Sequence, residues 1–202
     1  MPENDKTSTV YIGMAADILH HGLINVIEAG REHGRVVIGL MTDGAVSRYK
    51  PLPYLEYEHR KRILENVVGV DEVVPQEEWD FAPNLRKFKP DIVMHGDDWC
   101  EGPQKVYRDR AIEALNEWGG KLIEVPYTQG VTTPRYNAQL RGLGTTSEIR
   151  RLSLRRHLDS GELVRVIEVH SPLCGLLAEN LAVERDDSVA RFEAMWVSSL
   201  TD

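Results

Sequence analysis

TVYIGMAADILHHGLINVIEAGREHGRVVIGLMT, residues 9–42, carries the pattern that decides the fold. It opens with β-branched, aromatic and apolar residues that predict a strand at Thr9–Met14. Residues 20–34 then space their apolar side chains at helical intervals, and residues 35–42 form a second, nearly continuous apolar run. Strands buried on both faces, as in parallel sheets, have such runs. The stretch therefore predicts a β-α-β unit.

The same alternation continues to residue 126. Strands separated by helices of this length imply a parallel sheet with right-handed crossovers. The sequence therefore predicts an α/β fold, a doubly wound, Rossmann-like parallel sheet of five strands. Its further strands are predicted at residues 71–75, 91–96 and 121–126, and its further helices at residues 54–68, 84–89 and 104–120.

Composition limits the classes of function. The chain has 202 residues, of which 42% are hydrophobic, and no apolar run approaches the ~18 residues of a membrane helix. A formal net charge of -8 argues against a general nucleic-acid binder, whose phosphate contacts need a basic surface. The polar, acidic first residues do not resemble a secretory signal, so a cytoplasmic location is expected. Cys100 and Cys174 are far apart, match no metal or redox spacing, and are expected to be free thiols.

Four polar segments follow predicted strands, at residues 13–22, 41–44, 95–99 and 126–133. In doubly wound sheets, ligands bind beyond the carboxyl ends of the strands. Because these ends meet at one edge, we expect the four segments to form a single site.

Two adjacent histidines, His20 and His21, stand where the first strand gives way to the first helix. A helix N-terminus offers amides and the positive end of its dipole to phosphate. Imidazoles there could donate hydrogen bonds to phosphoryl oxygens or carry charge opposite an anion. A capping or packing histidine is the alternative, and the neighbouring Gly22 favours the anion site.

These residues carry a family resemblance. DILHHGL, with the glycine upstream of it, resembles the HxGH signature of the nucleotidyltransferase superfamily. The segments at residues 13–22, 47–76, 83–99 and 117–133 are similar, in order, to the cytidylyltransferase domains found with phosphoenolpyruvate phosphomutases in phosphonate biosynthesis. The resemblance covers about residues 10–133 and implies a nucleotidyltransferase version of the predicted fold.

The remainder of the chain carries a second resemblance. Residues 165–184 and 191–202 resemble the beginning of a phosphoenolpyruvate phosphomutase. A fused bifunctional enzyme of the fosfomycin type is thereby implied. Its expected parts are a cytidylyltransferase domain at 1–145, a basic helical connector at 146–164 and an incomplete start of a phosphomutase-like barrel at 165–202. The arginine cluster at residues 150–156 could meet phosphates, although a solvated helix face is favoured.

The resemblance implies a reaction in which CMP passes from CTP to a small phosphonate and pyrophosphate leaves. The expected acceptor is 2-hydroxyethylphosphonate, and 2-aminoethylphosphonate is the alternative. Mg²⁺ would accompany the triphosphate, and a homodimer is possible because related transferases often pair.

Residue roles follow from the same resemblance. His20 is expected to stabilise the phosphates during displacement, and Lys50 to hold the triphosphate unless it is an ordinary surface lysine. Asp17 would hold the histidine loop, and Arg60 would point toward the acceptor or lie on a solvated helix face. The other expected substrate contacts are Gly13, Met14, Ala15, His21, Gly22, Asp97, Asp98, Trp99, Thr128, Gly130, Thr132 and Thr133.

Several of these assignments have open alternatives. Asp97 and Asp98 could bind ribose hydroxyls or form a magnesium site, and Trp99 offers a flat face for packing. The threonines of the GVTT segment could contact phosphate or simply cap a helix. No metal ligands are assigned.

The chain departs from the family pattern at two positions. Leu23 stands where the signature has its second histidine, and Tyr127 stands where many cytidylyltransferases have an arginine. Leucine cannot donate to an oxyanion, so one expected phosphate contact is missing. A CTP-binding module without turnover is therefore the alternative to an enzyme.

Overall fold

The computed structural model describes residues 8–126, 128, 147–185 and 188–197. Its main feature is one sheet of five parallel strands: β1 Thr9–Met14, β2 Arg35–Met41, β3 Glu72–Gln76, β4 Ile92–Gly96 and β5 Lys121–Val125. They lie in the order β3-β2-β1-β4-β5. The strand order reverses at β1, as expected for a doubly wound sheet, so the predicted fold class is confirmed.

Helices connect these strands. They are α1 His21–His33, α2 Asp43–Ser47, α3 Tyr57–Leu64, α4 Ala82–Phe88 and α5 Lys105–Asn116, with 3₁₀ turns at Asp97–Trp99 and Gly102–Gln104. The short helix α2 lies where only a loop is expected from the sequence. It begins because the hydroxyl oxygen of Thr42 accepts a hydrogen bond from the Ala45 amide at 3.2 Å. Among the described residues, we find no helix long and apolar enough to cross a membrane.

Two apolar layers cover the sheet, one on each face. Successive residues of a strand point to opposite faces, so Val10 and Ile12 of β1 pack with Ile27 of α1 and Leu64 of α3. The neighbouring Tyr11 packs in the other layer, which includes residues of α4 and α5. This double covering explains why the central strands have nearly continuous apolar sequences.

Residues 147–197 add elements beyond the main sheet. Helix α6, Ser147–Asp159, is followed by strand β6, Val166–Val169, and helix α7, Pro172–Asn180. The remaining strands are β7 Ala182–Arg185, β8 Ser188–Arg191 and β9 Ala194–Val197. Strand β6 pairs in parallel with β9, and β7 pairs antiparallel with β8. The division into transferase domain, connector and phosphomutase-like segment stays a prediction.

Candidate functional site

The carboxyl edge of the sheet brings the predicted segments together. Helix α1, which follows the loop at residues 15–20 (the β1–α1 loop), lies beside the chain that follows β5. Asn25 of α1 donates a hydrogen bond from Nδ2 to the hydroxyl oxygen of Thr128 at 3.1 Å. A Cβ atom at Gly22 would lie 3.5 Å from the Cβ of Thr128. The first helix and the chain after the fifth strand are therefore neighbours at this edge, and a single site formed by all four segments stays a prediction.

His20 stands immediately before helix α1, in the extended N-cap position. A Cβ atom at Gly22 would lie 3.1 Å from Nδ1 of His20, so the glycine leaves room for the imidazole. Burial, and then the neighbouring His21, lower the pKa of His20. A neutral imidazole is thereby favoured, and it can still donate a hydrogen bond to a phosphoryl oxygen.

The β1–α1 loop contains a turn that an L-residue rarely adopts. Ala16 has a φ of 48°, in the left-handed region. Such a conformation persists where the surrounding structure holds it. On one side, the Ala15 carbonyl accepts a hydrogen bond from Arg60. On the other, the Asp17 carboxylate accepts one from the Tyr54 amide at 2.7 Å, and the contact of Asp17 with a substrate stays a prediction.

Arg60, on α3, supports the loop from within the protein. The residue is 1% exposed, so the alternative of a solvated helix face is wrong. Its Nε donates to the Leu55 carbonyl at 3.1 Å, and its Nη2 pairs with Oδ1 of Asp43 at 2.6 Å. Together with the bond to Ala15, these contacts direct the guanidinium toward protein oxygens. Contact with an acceptor stays a prediction.

Lys50 faces the same edge from the chain after α2. Its Nζ lies 4.9 Å from the centre of the Trp79 ring, within the range of a cation-π contact. Although the residue as a whole is exposed, burial of the ammonium lowers the pKa of Lys50, and the carboxylates of Asp98 and Asp17 oppose that shift. Lys50 therefore lies within electrostatic range of two other predicted site residues, each from a different segment.

The HGDDW segment turns sharply at the end of β4. Trp99 is 2% exposed and donates from Nε1 to Oε1 of Glu124 at 2.8 Å. Its indole stacks on the imidazole of His95. The ring therefore packs inside the protein, and the predicted packing against a nucleotide would require it to be uncovered. In the present arrangement Trp99 holds the turn that carries Asp97 and Asp98.

Both aspartates of this segment are exposed at the edge. Oδ1 of Asp98 lies 3.7 Å from Nδ1 of His95, while that nitrogen also lies 2.8 Å from the Gly96 carbonyl. Within the part of the chain that the structure describes, no cluster of three or more His, Cys, Asp and Glu side chains could hold a metal ion. Mg²⁺ needs only one or two carboxylates when phosphate oxygens complete its coordination. The exposed aspartates fit that requirement.

A charged cluster beneath the turn was not predicted. Arg108 of α5 binds both carboxylate oxygens of Glu124, at 2.7 and 2.8 Å. Cys100 donates to the same carboxylate at 3.2 Å. The Arg108 hydrogen bond is the main reason that the pKa of Glu124 falls to about 2. The glutamate lies inside a strand-like run, KLIEVP, so its sequence position gave no signal of this role. Cys100 and Cys174 are both free thiols, as expected.

The predicted backbone contacts occupy the end of the first strand. Gly13 and Met14 belong to β1, and Ala15 begins the loop. Gly13 is an expected substrate contact, and a Cβ atom there would lie 2.5 Å from Cζ of Phe81. Packing of this ring therefore requires a glycine at position 13. Four other residues singled out from the sequence, Tyr127, Gly130, Thr132 and Thr133, lie outside the described residues.

Comparisons with known proteins agree with this geometry. Residues 11–152 match the family model described as "Cytidylyltransferase-like". The chain is 31% identical over 129 residues to a glycerol-3-phosphate cytidylyltransferase of Bacillus subtilis (strain 168), an alignment that covers 63% of this chain and 92% of that protein. It is 34% identical over 127 residues to the bifunctional protein HldE of Magnetococcus marinus, covering 61% of this chain and 25% of HldE.

A solved structure has a similar fold. The lipopolysaccharide core biosynthesis protein from Thermoplasma volcanium GSS1 superimposes with a TM-score of 0.51 at 20% sequence identity. The superposition covers 60% of this chain and 98% of that one. At this identity the likeness concerns the fold alone.

Proposed function

Because the chain belongs to the cytidylyltransferase-like family and is thereby a nucleotidyltransferase, we propose that it transfers CMP from CTP to a small phosphonate. The proposed acceptor is 2-hydroxyethylphosphonate, with 2-aminoethylphosphonate as the alternative. The motif resemblance of residues 10–133, together with that of residues 165–202, supports this acceptor class and fusion to a phosphomutase-like domain. One observation supports the transfer reaction itself: at the carboxyl edge of the sheet, Lys50 lies within electrostatic range of Asp17 and Asp98, and Asn25 of α1 donates a hydrogen bond to Thr128.

In the proposed reaction, a phosphonate oxygen forms a bond to the α-phosphorus of CTP. The bond from that phosphorus to the bridging oxygen breaks, and pyrophosphate leaves with the electron pair. No covalent intermediate on the protein is required, so orientation and charge stabilisation carry the catalysis. His20 donates a hydrogen bond to the phosphates, and the first amides of α1 contribute their dipole. Lys50 balances the triphosphate charge.

The other site residues hold the nucleotide and its metal. We assign Asp97 or Asp98 to the ribose hydroxyls, with the remaining carboxylate available to Mg²⁺ on the triphosphate. When bound, Mg²⁺ would neutralise phosphate charge as pyrophosphate departs. We assign Thr128 to a phosphate contact through its hydroxyl, whose oxygen accepts a hydrogen bond from Asn25.

A CTP-binding module without turnover is the second candidate. Leu23 packs against the apolar layer formed by β1, α1 and α3 instead of supplying a second signature histidine. Loss of one such donor costs roughly 3 kcal/mol of transition-state stabilisation in other enzymes. His21, which is exposed at the helix start, is the available substitute.

The test combines turnover with binding. The purified chain is incubated with CTP, Mg²⁺ and, in separate reactions, 2-hydroxyethylphosphonate, 2-aminoethylphosphonate or glycerol 3-phosphate. Pyrophosphate release is measured, and phosphorus NMR identifies the product. We expect release with a phosphonate above that with glycerol 3-phosphate.

Each outcome decides between the alternatives. A preference for glycerol 3-phosphate would overturn the phosphonate assignment and keep the transferase. Tight CTP binding by calorimetry without release from any acceptor would favour the binding module. Absence of CTP binding would reject both candidates.

A further inference from the structure

Arg156 of helix α6 contacts Asp43 and Tyr54, which hydrogen bonds link to the β1–α1 loop, Asp43 through Arg60 and Tyr54 directly. Arg156 lies in the last turn of α6, beyond residue 152, where the family match ends. Its Nη2 pairs with Oδ2 of Asp43 at 3.1 Å, and its Nη1 donates to the Tyr54 carbonyl at 3.3 Å. The side chain is 14% exposed, unlike its exposed neighbour Arg155. Arg156 therefore faces inward, whereas Arg155 faces solvent.

The first contact of Arg156 leads to one side of the loop. One carboxylate oxygen of Asp43 pairs with Arg156, and the other pairs with Arg60. Arg60 in turn donates to the carbonyl of Ala15. A carboxylate shared between two guanidinium groups has a fixed orientation, because each oxygen is held separately. Arg156 therefore stabilises the position from which Arg60 holds Ala15.

The second contact leads to the other side of the same loop. Arg156 donates a hydrogen bond to the carbonyl of Tyr54, and the amide of Tyr54 donates one to the carboxylate of Asp17. The chain at Tyr54 is therefore fixed at both of its backbone polar groups. If the chain at Tyr54 were displaced, its amide would no longer donate a hydrogen bond to Asp17.

Between these two anchors lies Ala16 in its left-handed conformation. An L-residue populates that region about tenfold less readily than the ordinary helical region, whereas glycine carries no such penalty. The turn therefore depends on its anchors, and Arg156 supports the anchors on both sides.

We infer that Arg156 is a positioning residue through which helix α6 holds the β1–α1 loop in its nucleotide-binding conformation. This inference rests on the proposed function, since it assumes that the loop binds CTP. Arg156 acts through Asp43 and Tyr54 and does not itself need to contact a phosphate. The nucleotide site is thus completed by a helix that extends past the family match.

The test is a double-mutant cycle on the full chain. Arg156→Gln is made alone and together with Ala16→Gly, and the Kd for CTP is measured by calorimetry for all four proteins. We expect Arg156→Gln to weaken CTP binding about tenfold when residue 16 is alanine, and about threefold or less when it is glycine, because glycine removes the need for the anchors. A merely structural arginine would give equal factors in both backgrounds.

Two further variants distinguish a loss of loop positioning from a loss of folded protein. Arg156→Lys keeps a charge for Asp43 but has a single ammonium in place of the planar fork, so we expect an intermediate Kd. Arg155→Gln on the same helix is the matched control and should bind CTP as the unaltered chain does. Thermal unfolding verifies that each variant is folded, and kcat and KM for CTP are compared where turnover is present.

The outcomes are distinct. An Arg156→Gln protein that binds CTP like the Arg155→Gln control would overturn the inference, as would an equal loss in the alanine and glycine backgrounds. If the unaltered chain itself binds no CTP, the proposed function fails and the inference with it. That result is recognisable without any variant.

Discussion

The imidazole of His95 stacks on the indole of Trp99, with ring centroids 3.9 Å apart and planes inclined by 16°. The indole is buried, and it donates to Glu124 from its other end. The two rings and the glutamate join β4, its following turn and β5 below the predicted nucleotide edge. The arrangement has consequences for stability at low pH.

Acid should destabilise the fold through His95. Burial is the largest influence on the pKa of His95 and lowers it, while the Gly96 carbonyl and Asp98 act in the opposite direction. The unfolded chain takes up a proton near pH 6.5, but the folded chain does so only at lower pH. The free energy of unfolding should therefore fall as the pH decreases below about 6.5, by up to about 1.4 kcal/mol per pH unit for this group.

Urea unfolding between pH 5 and 7 measures this slope. His95→Gln should make the slope shallower, whereas His59→Gln, at an exposed position on α3, should change it much less. If His95→Gln and the unaltered chain had the same slope, His95 would not be the source of the pH dependence of stability.

Glu124→Gln should destabilise the protein at pH 7 by about 1–3 kcal/mol, because the bidentate pair with Arg108 is lost. The pKa of Glu124 is about 2, below its ordinary value, so its contribution is complete above pH 4.5 and is lost as the pH falls toward 2. The difference in stability between the two proteins should narrow over that range.

Glu117→Gln is the control for Glu124→Gln. Its pair with Arg86 is exposed on both sides, and solvent screens such pairs so strongly that they contribute little to stability. Chemical denaturation of both variants provides the comparison. Equal losses at the two positions would contradict a special role for Glu124.

His20→Ala should lower kcat for pyrophosphate release at least tenfold, because a donor to the transferring phosphates is removed. KM for CTP should change less than kcat if His20 acts mainly in the transition state. Steady-state kinetics with CTP and the preferred acceptor measure both constants. His59→Ala provides the matched histidine control, and unchanged kinetics for His20→Ala would exclude His20 from the mechanism.

Lys50→Ala should weaken CTP binding by about tenfold, since a charge-assisted contact contributes about 1.5 kcal/mol or more. The loss should become smaller at high salt because a partly exposed charge is screened. Calorimetric titration at low and high salt tests both statements. Lys61→Ala, which removes from α3 a partly exposed ammonium 3.8 Å from Oε1 of Glu65, is the control, and equal CTP affinity in the two variants would indicate an ordinary surface lysine at position 50.

The sequence by itself determined the sheet and the edge at which the site lies. Apolar periodicity reports which faces of each element are buried, so residues 9–42 indicated a β-α-β unit without reference to distant residues. The polar segments after the strands then had to meet at one edge, because parallel strands share their direction. Such patterns are local, and a single chain displays them directly.

Only the tertiary structure decided which partner each polar residue takes. Arg156 and Asp43 are 113 positions apart, and Trp99, in the turn after β4, donates a hydrogen bond to Glu124 of β5. For Arg60 the sequence left two alternatives open, contact with the acceptor or a solvated helix face, because burial of its guanidinium among three oxygens requires α3, the β1–α1 loop and Asp43 to meet. Gly13 likewise depends on Phe81, whose ring fills the space of a Cβ atom. These contacts arise when elements pack, and no periodicity within one element encodes them.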